Sequence, residues 1–444
     1  MLSVAAFVVF CVFCSAMAFV RHPIYGLYFY LATTFVFPPG RWWGGYLPDL
    51  RWALLSAAIT ALAVAFHRGK LQPKPLWIGN APAVLLTLYA TWMLLQTPWA
   101  LDVKEHLEGW LKFVKCILAL WFVYRVIDSK DRLRDVMLAH VLGCGLLGVF
   151  AKFTGREGDR LDGVGGPNLD DANTLGMYFV TGAVVAIGLI LTQPGWRRYV
   201  SLASLVVIVN GFVLTNSRGA FLGLVAGILV LAFCTARQHR WLFWSFALVC
   251  ALGTTVIVDR AFVERMFTIQ DVTSQDEDAD TSARSRLAVA KAQLRMFLDY
   301  PMGTGYRGTA VLSTRYLDRK WLTGGGDDDT ASRSSHNTFL TALVEQGLPG
   351  AAMYTALLGW LVAAALRIRR LGKLHHDHEL TTLGASLCAA LVVVFVAGTT
   401  ADYLTKEVQF WLYAALVSMF WLCGAGNEAA RQSEGAAGMR RAPA

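Results

Sequence analysis

Apolar runs close to the ~20 residues that a bilayer-spanning helix needs follow one another along nearly the whole chain, and one long polar stretch, 259–346, breaks the series. Such runs leave few folds open. In hydrocarbon every backbone N–H and C=O must be satisfied internally, so the segments are helices or strands of a closed barrel, and the alternating polar period of barrel strands is missing. An all-α polytopic membrane protein follows. A composition of 55% hydrophobic and 16% charged residues over 444 positions agrees, and it excludes a large soluble domain. The runs fall at 2–20, 24–38, 50–66, 80–98, 108–127, 135–153, 174–192, 199–216, 219–236, 241–258, 347–366, 380–399 and 407–424. That makes about twelve or thirteen spans, according to whether the short run ending at Pro38-Pro39 crosses.

This pattern divides the chain into an N-terminal transmembrane bundle (1–258), a large polar loop (259–346), C-terminal transmembrane helices (347–424) and a disordered tail (425–444). The first run has no charged segment before it and is followed at once by another, so it reads as a retained helix rather than a signal peptide. All eight cysteines lie inside apolar runs, where cysteine behaves as a small buried hydrophobe, and no disulfide or zinc spacing is visible. The net charge of +9 suggests nucleic acid until its distribution is considered. Basic residues gather in every second short loop, at Arg68/Lys70/Lys74, Lys130/Arg132/Arg134, Arg197/Arg198, Arg237/Arg240 and Arg367/Arg369/Arg370/Lys373, with Arg431, Arg440 and Arg441 in the tail. The positive-inside rule places these in the cytoplasm and the alternate loops, with the long segment, outside.

Within the long segment, Gln270 to Asp280 reads as an acidic solvated loop, and Ser282 to Tyr300 as an amphipathic helix with Leu287, Ala290, Leu294 and Phe297 on one face, stopped by Pro301. Met302 to Gly308 is rich in turn residues, Gly324 to Asp329 forms a second loop, and a further helix is expected from His336 with Ser334 or Ser335 as its cap.

His336 is the sharpest candidate for chemistry. At a helix start the dipole keeps an imidazole neutral near pH 7, able to take a proton from a hydroxyl, although a capped structural histidine is the plain alternative. Arg218, between two apolar runs in Leu-Thr-Asn-Ser-Arg-Gly-Ala, and Arg286, in the first turns of the amphipathic helix, offer forked guanidinium groups suited to a pyrophosphate. For Arg218 the alternative is snorkelling to lipid phosphate; for Arg284, Arg286, Arg295 and Arg307 it is a solvated face. Lys112 and Lys115 lie in the outer end of the fifth run, where charge is costly and either snorkels or attracts a lipid phosphate. Arg160 heads a glycine-rich loop that matches no phosphate-binding fingerprint. Asp170-Asp171 and Asp327-Asp328-Asp329 would supply oxygen ligands, but a triple Asp after three glycines is a poor frame for octahedral geometry, and no metal is expected.

Taken together, Leu-Thr-Asn-Ser-Arg-Gly-Ala around Arg218, Ser-Arg-Leu-Ala around Arg286, and Ser-His-Asn-Thr-Phe-Leu around His336 with Glu345-Gln346-Gly347 behind it resemble the bacterial O-antigen ligase and polymerase superfamily, most closely its O-antigen ligase branch. The resemblance implies a GT-C glycosyltransferase of the inner membrane with a periplasmic active site and a cytoplasmic C-terminus. It would move a polysaccharide from undecaprenyl pyrophosphate to a sugar of lipid A-core, with inversion and with no metal or other cofactor. Arg218, Arg286 and His336 match the family's essential arginines and histidine, and Arg160 matches more loosely. Tyr306 and Arg307 join Arg218, Arg286, Arg160, Lys112 and Lys115 as expected pyrophosphate contacts, membrane lipids are the expected surroundings, and nucleic acid is not an expected partner. Two lipid-borne substrates would need a lateral opening, with the amphipathic helix as its cover.

The rivals share this machinery. An O-antigen polymerase or a protein O-oligosaccharyltransferase would differ only in acceptor. A transporter of lipid-linked glycan would need polar groups in the cytoplasmic half of its spans, where charge is scarce.

Overall fold

The computed structural model describes residues 2–439 apart from 73, 157, 159, 167, 168, 170, 259–261, 264, 265, 267–280 and 323–331. The expected acidic loop at 270–280, the Asp327–Asp329 run and Asp170 lie outside the described residues, as does part of the 259–346 segment. The described chain is helical: α1 Leu2–Val20, α2 Ile24–Val36, α3 Trp52–Phe66, α4 Ala81–Leu95, α5 Val103–Val126, α6 Lys130–Thr154, α7 Ala172–Thr192, α8 Trp196–Thr215, α9 Arg218–Cys234 and α10 Arg237–Ile257 precede the polar segment. That segment holds α11 Thr281–Asp299, α12 Gly308–Tyr316 and α13 Thr338–Glu345, and α14 Gly347–Leu374, α15 His378–Ala397 and α16 Glu407–Met439 follow.

Seven of these are long and apolar enough to cross a membrane: α1, α6, α7, α8, α14, α15 and α16 as far as Gly424. This is fewer than the twelve or thirteen runs, and for five of the others the reasons are identifiable. The runs at 24–38 and 80–98 form helices of only 13 and 15 residues, because Pro38 and the Thr97-Pro98-Trp99 turn end them early. Helix α3 has 15 residues and α9 has 17, while α5 carries Lys104, Glu105, Glu108, Lys112 and Lys115. Where a disordered tail is expected, α16 continues to Met439, through a stretch rich in the helix formers Ala, Glu, Arg and Gln.

Helix α7 is the axis of the bundle, its span buried along its whole length. Around it pack α6, α8, α9 and α15. Small residues set how closely they approach, as expected where lipid removes the hydrophobic drive between helices. On α9, Gly219, Gly223 and Gly227 form one stripe against α15: a Cβ on Gly223 would lie 3.0 Å from the Val393 carbonyl oxygen, and one on Gly227 would lie 2.8 Å from Val393 Cγ2.

The loops sort to two ends, as the alternation of basic loops implies. At one, Lys130 pairs with Asp377 at 2.7 Å, Arg134 with Glu379 at 2.5 Å and Arg197 with Asp135 at 2.7 Å, so the turns before α6, α8 and α15 share one charged end. At the other end meet the segment before α7, the α8–α9 break, the approach to α13 and the α15–α16 connection.

Helix α11 is amphipathic, but its inner face is offset from the expected one. Ser285, Val289, Ala292, Gln293 and Met296 are buried, Ala292 and Met296 against Leu312 of α12 and Val344 of α13, while Leu287, Leu294 and Leu298 are 55%, 50% and 75% exposed. Small and flexible side chains allow the closer packing, and the leucines are left facing outward.

Candidate active site

The α15–α16 connection, 398–406, is the spine of the site. Thr338 Oγ1 donates to the Ala401 carbonyl at 2.9 Å and accepts the Tyr403 N–H at 2.9 Å, and the Thr338 N–H reaches the Gly398 carbonyl at 2.8 Å. Asn337 donates to the Thr399 carbonyl at 3.2 Å. These bonds hold the His336 segment onto the spine, and Tyr403 ties the spine to α7, its hydroxyl donating to the Asn173 carbonyl at 3.0 Å.

Helix α13 starts later than expected. Asn337 is its cap, taking the Phe339 and Leu340 N–H groups at 2.9 and 3.1 Å, so His336 stands one residue before the cap rather than in the first turn. Ser335 instead accepts from Gln293 of α11 at 2.9 Å. The imidazole is still held neutral, but by a different cause: burial first, then the Arg333 and Arg286 guanidinium groups, bring its pKa down to about 4 against a smaller opposing pull from Asp171. Desolvation and like charge do here what the helix dipole is expected to do.

Arg286 and His336 are thus brought together. Arg333, which the sequence reading does not single out although it lies three residues before the histidine, joins them: its guanidinium donates to Ser285 Oγ at 3.2 Å and its N–H to Ser313 Oγ at 2.9 Å. Arg160 and Arg218 reach the same end through Asn173. Arg160 donates to Asn173 Oδ1 at 2.7 Å, and Ser217, the cap of α9, donates to the same oxygen at 3.0 Å. The close approach of Gly219 to the Thr400 side chain brings the start of α9, where Arg218 stands, to the spine. Asp171 caps α7 through Asn173 N–H and Thr174 N–H, both at 3.0 Å, and lies 3.9 Å from Lys406. Asn173, Tyr403 and Lys406 carry no sequence motif of their own; only tertiary structure shows their part.

The other expected residues form a second cluster on the same spine. Tyr306 lies across Gly109 of α5, with Lys112 Nζ 5.9 Å from its ring centre. Burial and the nearby Glu345 and Asp402 carboxyls push its hydroxyl up to about 12, against a hydrogen bond with Thr405 of the spine. Arg307 pairs with Glu105 at 3.2 Å. Lys115 turns elsewhere, into a groove of about 710 Å³ lined by α2, α3 and α5, whose inner wall includes Glu407, next to Lys406. Helix α11 lies beside the arginine cluster, Gln293 bonding to Ser335 and Ser285 to Arg333. The site therefore consists of a guanidinium and imidazole half and a lysine and tyrosine half, joined by residues 398–407.

Such an arrangement can bind a polyanion and take a proton from a neutral hydroxyl nearby. Residues 203–355 match the family model described as O-antigen ligase, a stretch that runs from within α8 into α14 and holds Arg218, Arg286, Tyr306, Arg307, Arg333 and His336. No curated protein matches the chain. Over this stretch the chain is similar to the O-antigen ligase family.

Proposed function

We propose that this protein is an O-antigen ligase: an inverting glycosyltransferase of the inner membrane, of GT-C type with about twelve spans, that works without a metal. Its donor is a polysaccharide on undecaprenyl pyrophosphate and its acceptor a sugar hydroxyl of lipid A-core, the reaction occurring on the periplasmic face. The observation that carries this reading is a neutral imidazole, His336, beside the Arg286 and Arg333 guanidinium groups in a domain matched by the ligase family.

The chemistry follows from that juxtaposition. The acceptor oxygen attacks the anomeric carbon from the face opposite the pyrophosphate, the bond from that carbon to the phosphate oxygen breaks, and the electron pair leaves with the diphosphate. Arg286 and Arg218 balance the charge that develops there, in a partly desolvated site where such groups act strongly. His336 takes the acceptor proton. Lys112, Tyr306 and Arg307 contact the phosphates from the second cluster, Arg160 keeps the α7 and α9 starts together, and Lys115 meets the lipid where the groove opens. The groove gives the first part of the donor tail an apolar path from the headgroup to the bilayer.

The test is to supply labelled undecaprenyl pyrophosphate glycan to the purified protein with lipid A-core, with a second lipid-linked glycan, or with a serine-containing peptide. Product on lipid A-core alone supports the ligase. Product only on the second lipid-linked glycan or the peptide would make it a polymerase or a protein O-oligosaccharyltransferase, and movement of donor across vesicles without product would make it a transporter.

A further inference from the structure

Glu345 lies at the end of α13, and the transfer step described above gives it no task. Helix α12 has a start in need of one. Its cap residue, Arg307, adopts a left-handed backbone with φ 60° and ψ 9°, and its side chain caps nothing. A helix of 9 residues with no side-chain cap from its own cap residue is marginal. Glu345 supplies the acceptor from another helix: Oε2 takes the Arg307 N–H at 2.9 Å, and the same carboxyl faces the Thr309 N–H.

The surrounding backbone is locked in the same way. The Glu345 carbonyl accepts the Gly305 N–H at 3.0 Å and the Gln96 side-chain amide at 3.2 Å, and the Val344 carbonyl accepts the Thr304 N–H at 3.1 Å. Gly303, Gly305 and Gly347 have φ of 90°, 82° and 66°, and a Cβ on Gly303 would come within 2.7 Å of the Glu345 carbonyl oxygen. From the opposite side, buried His106 of α5 accepts the Tyr306 N–H on Nδ1 at 2.9 Å while Nε2 donates to the Met93 carbonyl at 2.7 Å. Adjacent N–H groups, of Tyr306 and Arg307, are therefore held by side chains from two other helices.

We propose that Glu345 is a positioning residue: by capping α12 from α13 it fixes the register of Tyr306 and Arg307, and so sets the affinity for the pyrophosphate-bearing donor rather than the rate of transfer. The functional part of this rests on the donor assigned above; the capping does not.

The experiment uses the full chain in lipid vesicles and compares E345A, which removes the acceptor, with E345Q, which keeps one, by amide hydrogen exchange across 304–310 and by donor kinetics with labelled undecaprenyl pyrophosphate glycan. For E345A, exchange at the Arg307 and Thr309 amides rises and donor KM rises about tenfold with kcat within about threefold, while E345Q restores both. Unchanged protection in E345A, lost protection with unchanged KM, or an E345Q as impaired as E345A would each overturn the proposal. Should E345A not fold, E345D, which draws the carboxyl back by one carbon, replaces it in both measurements. A wild-type chain that turns over no lipid-linked donor would instead refute the assigned function, with the exchange data still judging the cap.

Discussion

His336 shows how residue identity and cause can separate. The histidine is legible as a candidate because it sits in a short polar motif at the edge of a helix, but the reason for its neutrality is not. The sequence suggests a helix dipole, whereas the fold supplies burial and two guanidinium groups, one of them from α11 about fifty residues earlier in the chain. A pKa near 4 makes a prediction: the acid limb of kcat/KM falls near pH 4, well below the ordinary histidine value of 6.5, in a pH–rate profile of the purified protein. The variant R286Q, which removes one of the repelling charges, moves that limb upward. Folding is linked in the same direction. The unfolded chain binds the proton at His336 first, so the histidine's contribution to stability is lost as pH falls from 6.5 toward about 4.

Glu345 titrates with the opposite consequence. Burial and the neighbouring Asp402 carboxyl raise it from 4.5 to about 8, so the folded state holds a proton that the unfolded state releases. Stability then falls as pH rises from 4.5 through about 8. Asp402, itself raised to about 6 by burial, contributes a smaller loss lower in the same range. Thermal unfolding at about pH 6 and about pH 9 should show a drop in wild type that E345Q reduces, and equal drops in both proteins would contradict the assignment.

Elements were legible to the degree that composition alone makes them. The long apolar helices α6, α7, α8 and α15 lie where their runs do, because length and hydropathy suffice to define them. The inner face of α11 was not legible: Leu287 and Leu294 look like core from their spacing, yet it is Ala292 and Met296 that pack against Leu312 of α12 and Val344 of α13. The Gly219, Gly223, Gly227 stripe, which the sequence reading does not single out, does more than pack. It draws the start of α9, with Arg218, onto the spine of the site. The variant G223L, placing a bulky side chain against the Val393 backbone, should lower both the thermal midpoint and the transfer activity. G359A on α14, where an added Cβ meets nothing, should leave activity unchanged and the midpoint unchanged or slightly raised.

At the scale of the whole molecule, a bundle around α7 brings to one end residues that are far apart in sequence: Arg160 before α7, Arg218 at α9, Arg286 on α11, His336 before α13, and the 398–406 spine. The alternation of basic loops foretold that these share a side, since each span reverses direction. It could not foretell Asn173, which joins the α7 and α9 starts, or Tyr403, which ties the spine to them, because hydrogen bonds between distant turns leave no local pattern. The central claim is that an uncharged imidazole activates the acceptor while guanidinium groups hold the diphosphate. Its most direct test is single-turnover transfer from labelled undecaprenyl pyrophosphate glycan by H336A, with donor binding measured on the same sample. The account predicts product formation slower by roughly 10²–10⁴-fold with donor affinity nearly unchanged, whereas product at the wild-type rate would contradict it.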